Sequence, residues 1–106
     1  MARFLVQGTY TAEGTKGLIK EGGTARKAAV QKAIEGLGGK LDSIYYTFGA
    51  ADVIVICDMP DTISGLALSL AVNASGAVRI STTPILSIEE VDAACKKTVS
   101  YRPAGG

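Results

Sequence analysis

Histidine and tryptophan are absent from this 106-residue sequence, and cysteine, methionine and proline are scarce, at two, two and three residues. Without histidine the chain supplies no Ser-His-Asp or Cys-His pair, no His-ligated metal and no imidazole proton shuttle. The two cysteines, Cys57 and Cys95, share no motif, and neither they nor the carboxylates have metal-ligand spacing. Read as reduced thiols, they place the chain in the cytoplasm, with no metal and no cofactor. No apolar run approaches the roughly 20 residues of a membrane helix. Met1 to Val6 lacks the long apolar stretch of a signal peptide. Neither sign of charge dominates: Lys and Arg total 11, Asp and Glu total 10, and the net charge is +1. That balance argues against a dedicated nucleic-acid binder, which normally carries a basic patch or a high pI. What is present is a chain 47% hydrophobic, long enough for one domain and too short for two. Residues 1–98 read as that domain. Residues 99–106, with Pro103, Gly105 and Gly106, read as a mobile tail.

Arg3 to Tyr10 (RFLVQGTY) reads as a strand, followed by turn-prone Thr11 to Gly14 and a glycine-punctuated stretch to Gly23 that holds at most a short, irregular helix. Thr24 has the character of a helix N-cap. Val30, Ala33, Ile34 and Leu37 then recur at helical spacing, and Gly38 and Gly39 end the helix. Lys40 to Phe48 (KLDSIYYTF) and Asp52 to Cys57 (DVIVIC) are two strands joined by a short turn, a hairpin. A second helix begins near Asp61 or Thr62, with apolar Ile63, Leu66, Ala67, Leu70, Ala71 and Ala74 at helical spacing, and ends at Gly76. Ala77 to Thr83 is a fourth strand, stopped by Pro84. Ser87 with Glu90 forms a capping box for a last helix over Ile88 to Lys97.

The order strand, helix, strand, strand, helix, strand predicts an α+β domain with the ferredoxin-like βαββαβ pattern: an antiparallel sheet with its helices on one face, plus a C-terminal helix. The first and third strands, with FLV and VIVI, belong at the centre. The second and fourth, with Asp42, Ser43, Arg79, Ser81 and Thr83, suit the edges. Such a sheet turns its other face to water, and that face should be polar. The third strand does not comply, since Val53 and Val55 point one way and Ile54 and Ile56 the other. Alternation adds Leu5, Leu41 and Tyr45 to the second face. Five such groups represent about 7 to 15 kcal/mol of unused burial, comparable with the stability of a small domain. The expectation is a homodimer with two sheets face to face, or a larger homo-oligomer. The competing arrangement folds the C-terminal helix over that face within one chain.

The strongest local feature is Lys20-Glu21-Gly22-Gly23-Thr24-Ala25-Arg26-Lys27. Glycines before a helix start let a ligand approach the backbone, free N–H groups attract anions, and Lys20, Arg26 and Lys27 add positive charge. The same glycines equally serve as a simple bend between two helices. Asp52 leads into a central strand, where a carboxylate acts either as a base or as a turn cap. Tyr45 and Tyr46 face opposite sides of the sheet and Tyr10 ends the first strand; either one of these hydroxyls lines a cavity, or the rings pack in the core with the hydroxyl at a rim.

These stretches also resemble the GYD-domain family over about Phe4 to Ala94, most specifically in Lys20 to Arg26, Leu37-Gly38-Gly39-Lys40 and Ser75-Gly76-Ala77-Val78-Arg79. At the hairpin, Phe48-Gly49-Ala50-Ala51-Asp52 matches the family's glycine and aspartate, with Ala51 at the tyrosine position. The resemblance implies a dimeric α+β barrel and no particular activity. Three functions are consistent with it. The first is an oligomeric domain that binds or senses a small anionic or amphiphilic ligand through Lys20, Thr24, Arg26, Tyr45 and Asp52. The second is a cofactor-independent enzyme using Asp52 and a tyrosine as acid or base. The third is a structural assembly protein.

Overall fold

A computed structural model describes residues 1–106. The chain runs β1 (Ala2–Tyr10), α1 (Ala12–Glu21), α2 (Gly23–Gly36), β2 (Lys40–Tyr46), β3 (Val53–Met59), α3 (Thr62–Ala74), β4 (Val78–Pro84) and α4 (Ile88–Cys95). The four strands form one antiparallel sheet in the order β2-β3-β1-β4. The apolar first and third strands are therefore central, and the polar-studded second and fourth are at the edges.

One face of the sheet carries the core. Phe4, Val6, Val53, Val55, Cys57, Met59 and Val78 point towards the helices, where Ile34 of α2 and Leu68 of α3 meet them. The other face carries Leu5, Ile54, Ile56 and Tyr45, the last 65% exposed. Leu41 is not among them. A bulge at Asp42 sets Leu41 opposite Cys57 but Ser43 opposite Ile56. The extra residue reverses the alternation and turns Leu41 into the core. Asp42, displaced outward, meets Arg3 at 3.0 Å, and Asp58 approaches the same guanidinium at 3.5 Å.

Between β1 and α2, the stretch expected to be a turn and an irregular piece is a full ten-residue helix. Thr11 caps it, accepting the Gly14 N–H at 3.2 Å, and Glu13 and Lys20 complement its dipole. Gly22 then serves two helices at once. Its φ of 85° suits glycine, its N–H closes α1 onto the Leu18 carbonyl at 2.8 Å, and its own carbonyl accepts from Arg26. Thr24 consequently lies inside the first turn of α2 and is not its cap. At the other end of β2, the strand stops at Tyr46, not Phe48. The Thr47 N–H donates to the Asp52 carbonyl at 2.7 Å, and the Thr47 hydroxyl donates to the Ala51 carbonyl. These bonds close the turn and leave Phe48 in solvent.

The largest departure is in α3. The stripe marked by its helical spacing, Ile63, Leu66, Ala67, Leu70, Ala71 and Ala74, faces away from the sheet. Gly65, Leu68 and Val72, with Ser64, Ser69 and Asn73, face inward. The Asn73 side chain fixes this rotation, accepting the Ile80 N–H at 2.7 Å and donating to the Ile80 carbonyl at 3.3 Å. Gly65 permits it, because a Cβ there would stand 2.8 Å from the buried Phe4 ring. Asp61 caps the helix by accepting the Ser64 N–H at 2.7 Å, a bond that holds its carboxyl below the usual carboxylate range.

Finally, α4 keeps its capping box at Ser87 and Glu90, yet every one of its residues is exposed. It does not fold back over the outer sheet face. The radius of gyration is accordingly 16.9 Å, against about 13 Å for a compact chain of this length.

Two glycine substitutions separate packing from propensity. Overpacking against Phe4 costs about 1–3 kcal/mol, more than the up to ~1 kcal/mol that alanine gains over glycine in a helix. Urea denaturation should find Gly65→Ala destabilised by about 1–2 kcal/mol. Gly17→Ala, in α1 with nothing within 4 Å of its added Cβ, should be stabilised by up to ~1 kcal/mol. Equal stability of Gly65→Ala and the parent would contradict the packing described.

Candidate functional site

A cavity of about 130 Å³ lies between α2, α3 and the inner face of the sheet. Twelve of its thirteen lining residues are hydrophobic, among them Val6, Val30, Val55, Leu68, Val72 and Ile80. The thirteenth is Arg26, which is two-thirds buried and is the one charged group on the wall. The cavity exists because the side chains that reach inward from α3 are glycine, serine and modest apolar groups rather than its outward-facing leucines. An apolar space near this size accommodates a benzene-sized group.

Tyr10 lines this cavity and also borders a second, more polar recess of about 410 Å³, with Thr15, Leu18, Gly23, Tyr46, Thr47 and Asp52. The two spaces therefore meet at Tyr10, one greasy and one polar, with Arg26 on the greasy side. Burial and the adjacent Tyr10 phenol push the Tyr46 hydroxyl up to about 12, while the Arg26 guanidinium acts in the opposite direction. Tyr46 thus keeps its proton at neutral pH and is available as a donor. Asp52 is already engaged. Its carboxylate accepts the Tyr10 N–H at 2.8 Å, its N–H donates to the Gly8 carbonyl at 2.8 Å, and its carbonyl accepts from Thr47. The carboxylate stitches the turn to β1, the capping role rather than that of a free base.

Of the five residues the sequence offers for a ligand, the structure brings Arg26 and Asp52 to the neighbouring walls of these two spaces. Lys20 and Thr24 are exposed and line neither. Tyr45 lies on the opposite face of the sheet, paired across from Ile54. Arg26 forms a 3.7 Å ion pair with Glu21 across the Gly22 junction. Tyr10 and Tyr46, considered singly in the sequence as cavity-lining or rim phenols, come together on the polar recess. Their signal was available in part, since β1 ends at Tyr10 and alternation puts Tyr46 on the face of Ile44.

Outside this region, a groove of about 360 Å³ on the outer face is bordered by Gln7, Thr9, Arg79 and Ser81, and Arg79 has no acidic partner within 4.0 Å. Cys57 is buried and Cys95 exposed, both as free thiols. Burial, assisted by Asp58, raises the Cys57 thiol, so it is not poised as a nucleophile. No group of three or more Cys, Asp or Glu is arranged to hold a metal ion. No helix is long and apolar enough to cross a membrane.

The chain is thus an α+β protein whose four-stranded antiparallel sheet and two main helices border a small apolar recess. It belongs to the GYD domain family, whose model matches residues 4–95. No curated protein and no solved structure matches it.

The phenols provide a test of the site's electrostatics. In a spectrophotometric titration of the four tyrosines, the highest ionisation should fall near pH 12, the value to which Tyr46 is raised. Tyr46→Phe should remove that step. A highest step that survives the substitution would contradict the assignment.

Proposed function

We propose that this chain is a homo-oligomeric, ferredoxin-like protomer of the dimeric α+β barrel kind that binds a small amphiphilic anion. The observation that carries the reading is that Arg26 is the one charged residue among those lining an otherwise apolar cavity. An apolar ring or short alkyl group fits the 130 Å³ space. Its carboxylate or phosphate then meets Arg26, and the Tyr10 and Tyr46 hydroxyls donate from the polar side. Glu21, exposed and 3.7 Å from Arg26, is a partner that an anion can displace at small cost.

Binding is a better reading than catalysis. The two groups that would serve as a base are a phenol raised to about 12 and a carboxylate committed to the Tyr10 amide. The partner is a second copy of the chain, supported by Leu5, Ile54, Ile56 and Tyr45 on the sheet face that nothing in the chain covers. The two free thiols suit a reducing compartment such as the cytoplasm.

Native mass spectrometry of the purified protein should retain a small acidic molecule, and calorimetric titration with aromatic and short-chain carboxylates should give saturable binding. Arg26→Ala should weaken carboxylate binding by about tenfold or more, the worth of one charge-assisted contact, and leave the uncharged amide analogue unaffected. Equal affinity of the variant and the parent for the carboxylate would overturn this assignment.

A further inference from the structure

α3 wears its apolar side outward. Ile63, Leu66 and Leu70 are 79%, 57% and 62% exposed, and the helix contains no charged residue over Thr62–Ala74. Its serines and its asparagine lie on the sheet side. A helix that meets water along one face normally reverses this arrangement, and a contiguous exposed apolar surface marks an interface. The stripe is also shaped for another helix: bulky Leu66 and Leu70 alternate with Ala67 and Ala71, giving a ridge beside a groove.

The same chain carries a matching element that has nothing to pack on. α4 is a properly capped helix, fully exposed, with Ile88, Val91 and Cys95 at i, i+3 and i+7. Ile63, Leu66 and Leu70 have the same spacing, so both stripes run about 10.5 Å at 1.5 Å per residue. Charge agrees with the match. α4 keeps Glu89 and Glu90 off its stripe and holds Asp92 at the stripe's edge, where it can stay in water, and α3 offers no charge that would be buried or repelled. A lipid surface is the poorer occupant, since helices that lie on membranes carry Lys and Arg on their polar side, whereas α3 has none and the first turn of α4 is acidic. Because α4 stands away from its own domain, the helix it meets belongs to another molecule.

We propose that α4 of one copy packs on the outward stripe of α3 in a second copy, a helix-to-helix contact separate from both the cavity and the outer face of the sheet. It rests on self-association and not on ligand binding, so a failed ligand assay leaves it standing.

Cys95, exposed on the α4 stripe, is a built-in reporter, and Cys57 is buried. A disulfide requires the two Cα atoms to lie within about 7 Å. The full-length Leu66→Cys variant, mildly oxidised, should give a covalent dimer whose peptide map joins positions 66 and 95. Ser81→Cys, exposed on the outer sheet face, should cross-link at least about tenfold more slowly, because there the effective concentration of Cys95 is low. L66C combined with C95S should lose the product. Three results would overturn the proposal: a bridge within one chain, equal or faster linkage from Ser81→Cys, or linkage of L66C that persists in C95S.

Discussion

Asn73 is the pin on which the arrangement turns. Its amide clasps both backbone groups of Ile80, at 2.7 and 3.3 Å, satisfying polar atoms that the packed face would otherwise leave unpaired. With Gly65 seated on the Phe4 ring, that clasp fixes the rotation of α3 about its own axis. Everything else follows from the rotation. Leu68 and Val72 are the only long apolar side chains α3 can send inward, so the space under it is left partly unfilled. Leu66 and Leu70 are sent outward. The cavity and the exposed stripe are thus two consequences of one packing decision. Filling the cavity with the outward leucines would require breaking the clasp and moving Phe4.

The cavity acquires chemical character from its neighbours. Gly22 lets α2 start immediately after α1, which brings Arg26 to the wall beside Tyr46 rather than leaving it in solvent. Asp52 is held in the turn by the Tyr10 amide, and in return it fixes the end of β1, where Tyr10 separates the apolar and polar spaces. Donors dominate the result: one guanidinium and two phenols, one of them pushed to about 12. The set offers donors and no available base, which is why recognition, and not catalysis, is the function proposed for this member of the GYD domain family.

Much of this architecture was legible in the residues. The centre and edge positions of the strands followed from FLV and VIVI against Asp42, Arg79 and Ser81, and the capping box of α4 was explicit in Ser87 and Glu90. Three features were not. Leu41 reaches the core only because a bulge at Asp42 adds a residue, and a bulge leaves no mark in an alternating pattern. α1 overrides its glycines through a Thr11 cap and tertiary contact. The orientation of α3 was hidden because the helix is apolar almost all round, so periodicity cannot choose between its faces. The choice is made by Gly65 and Asn73, whose partners lie 61 and 7 residues away along the chain. Of the candidate residues, Arg26 and Asp52 border the two recesses, whereas Lys20 and Thr24 stand exposed at the helix junction and Tyr45 lies on the opposite face of the sheet, placements set by a junction and a register that the residue types alone do not display.

The proposed self-association rests on the apolar surface displayed by α3, α4 and the outer sheet face. Sedimentation equilibrium over a range of micromolar concentrations tests it most directly. Self-association predicts a mass of at least twice the 10.9 kDa of the chain, with dissociation only on dilution. A single species of 10.9 kDa across that whole range would contradict it.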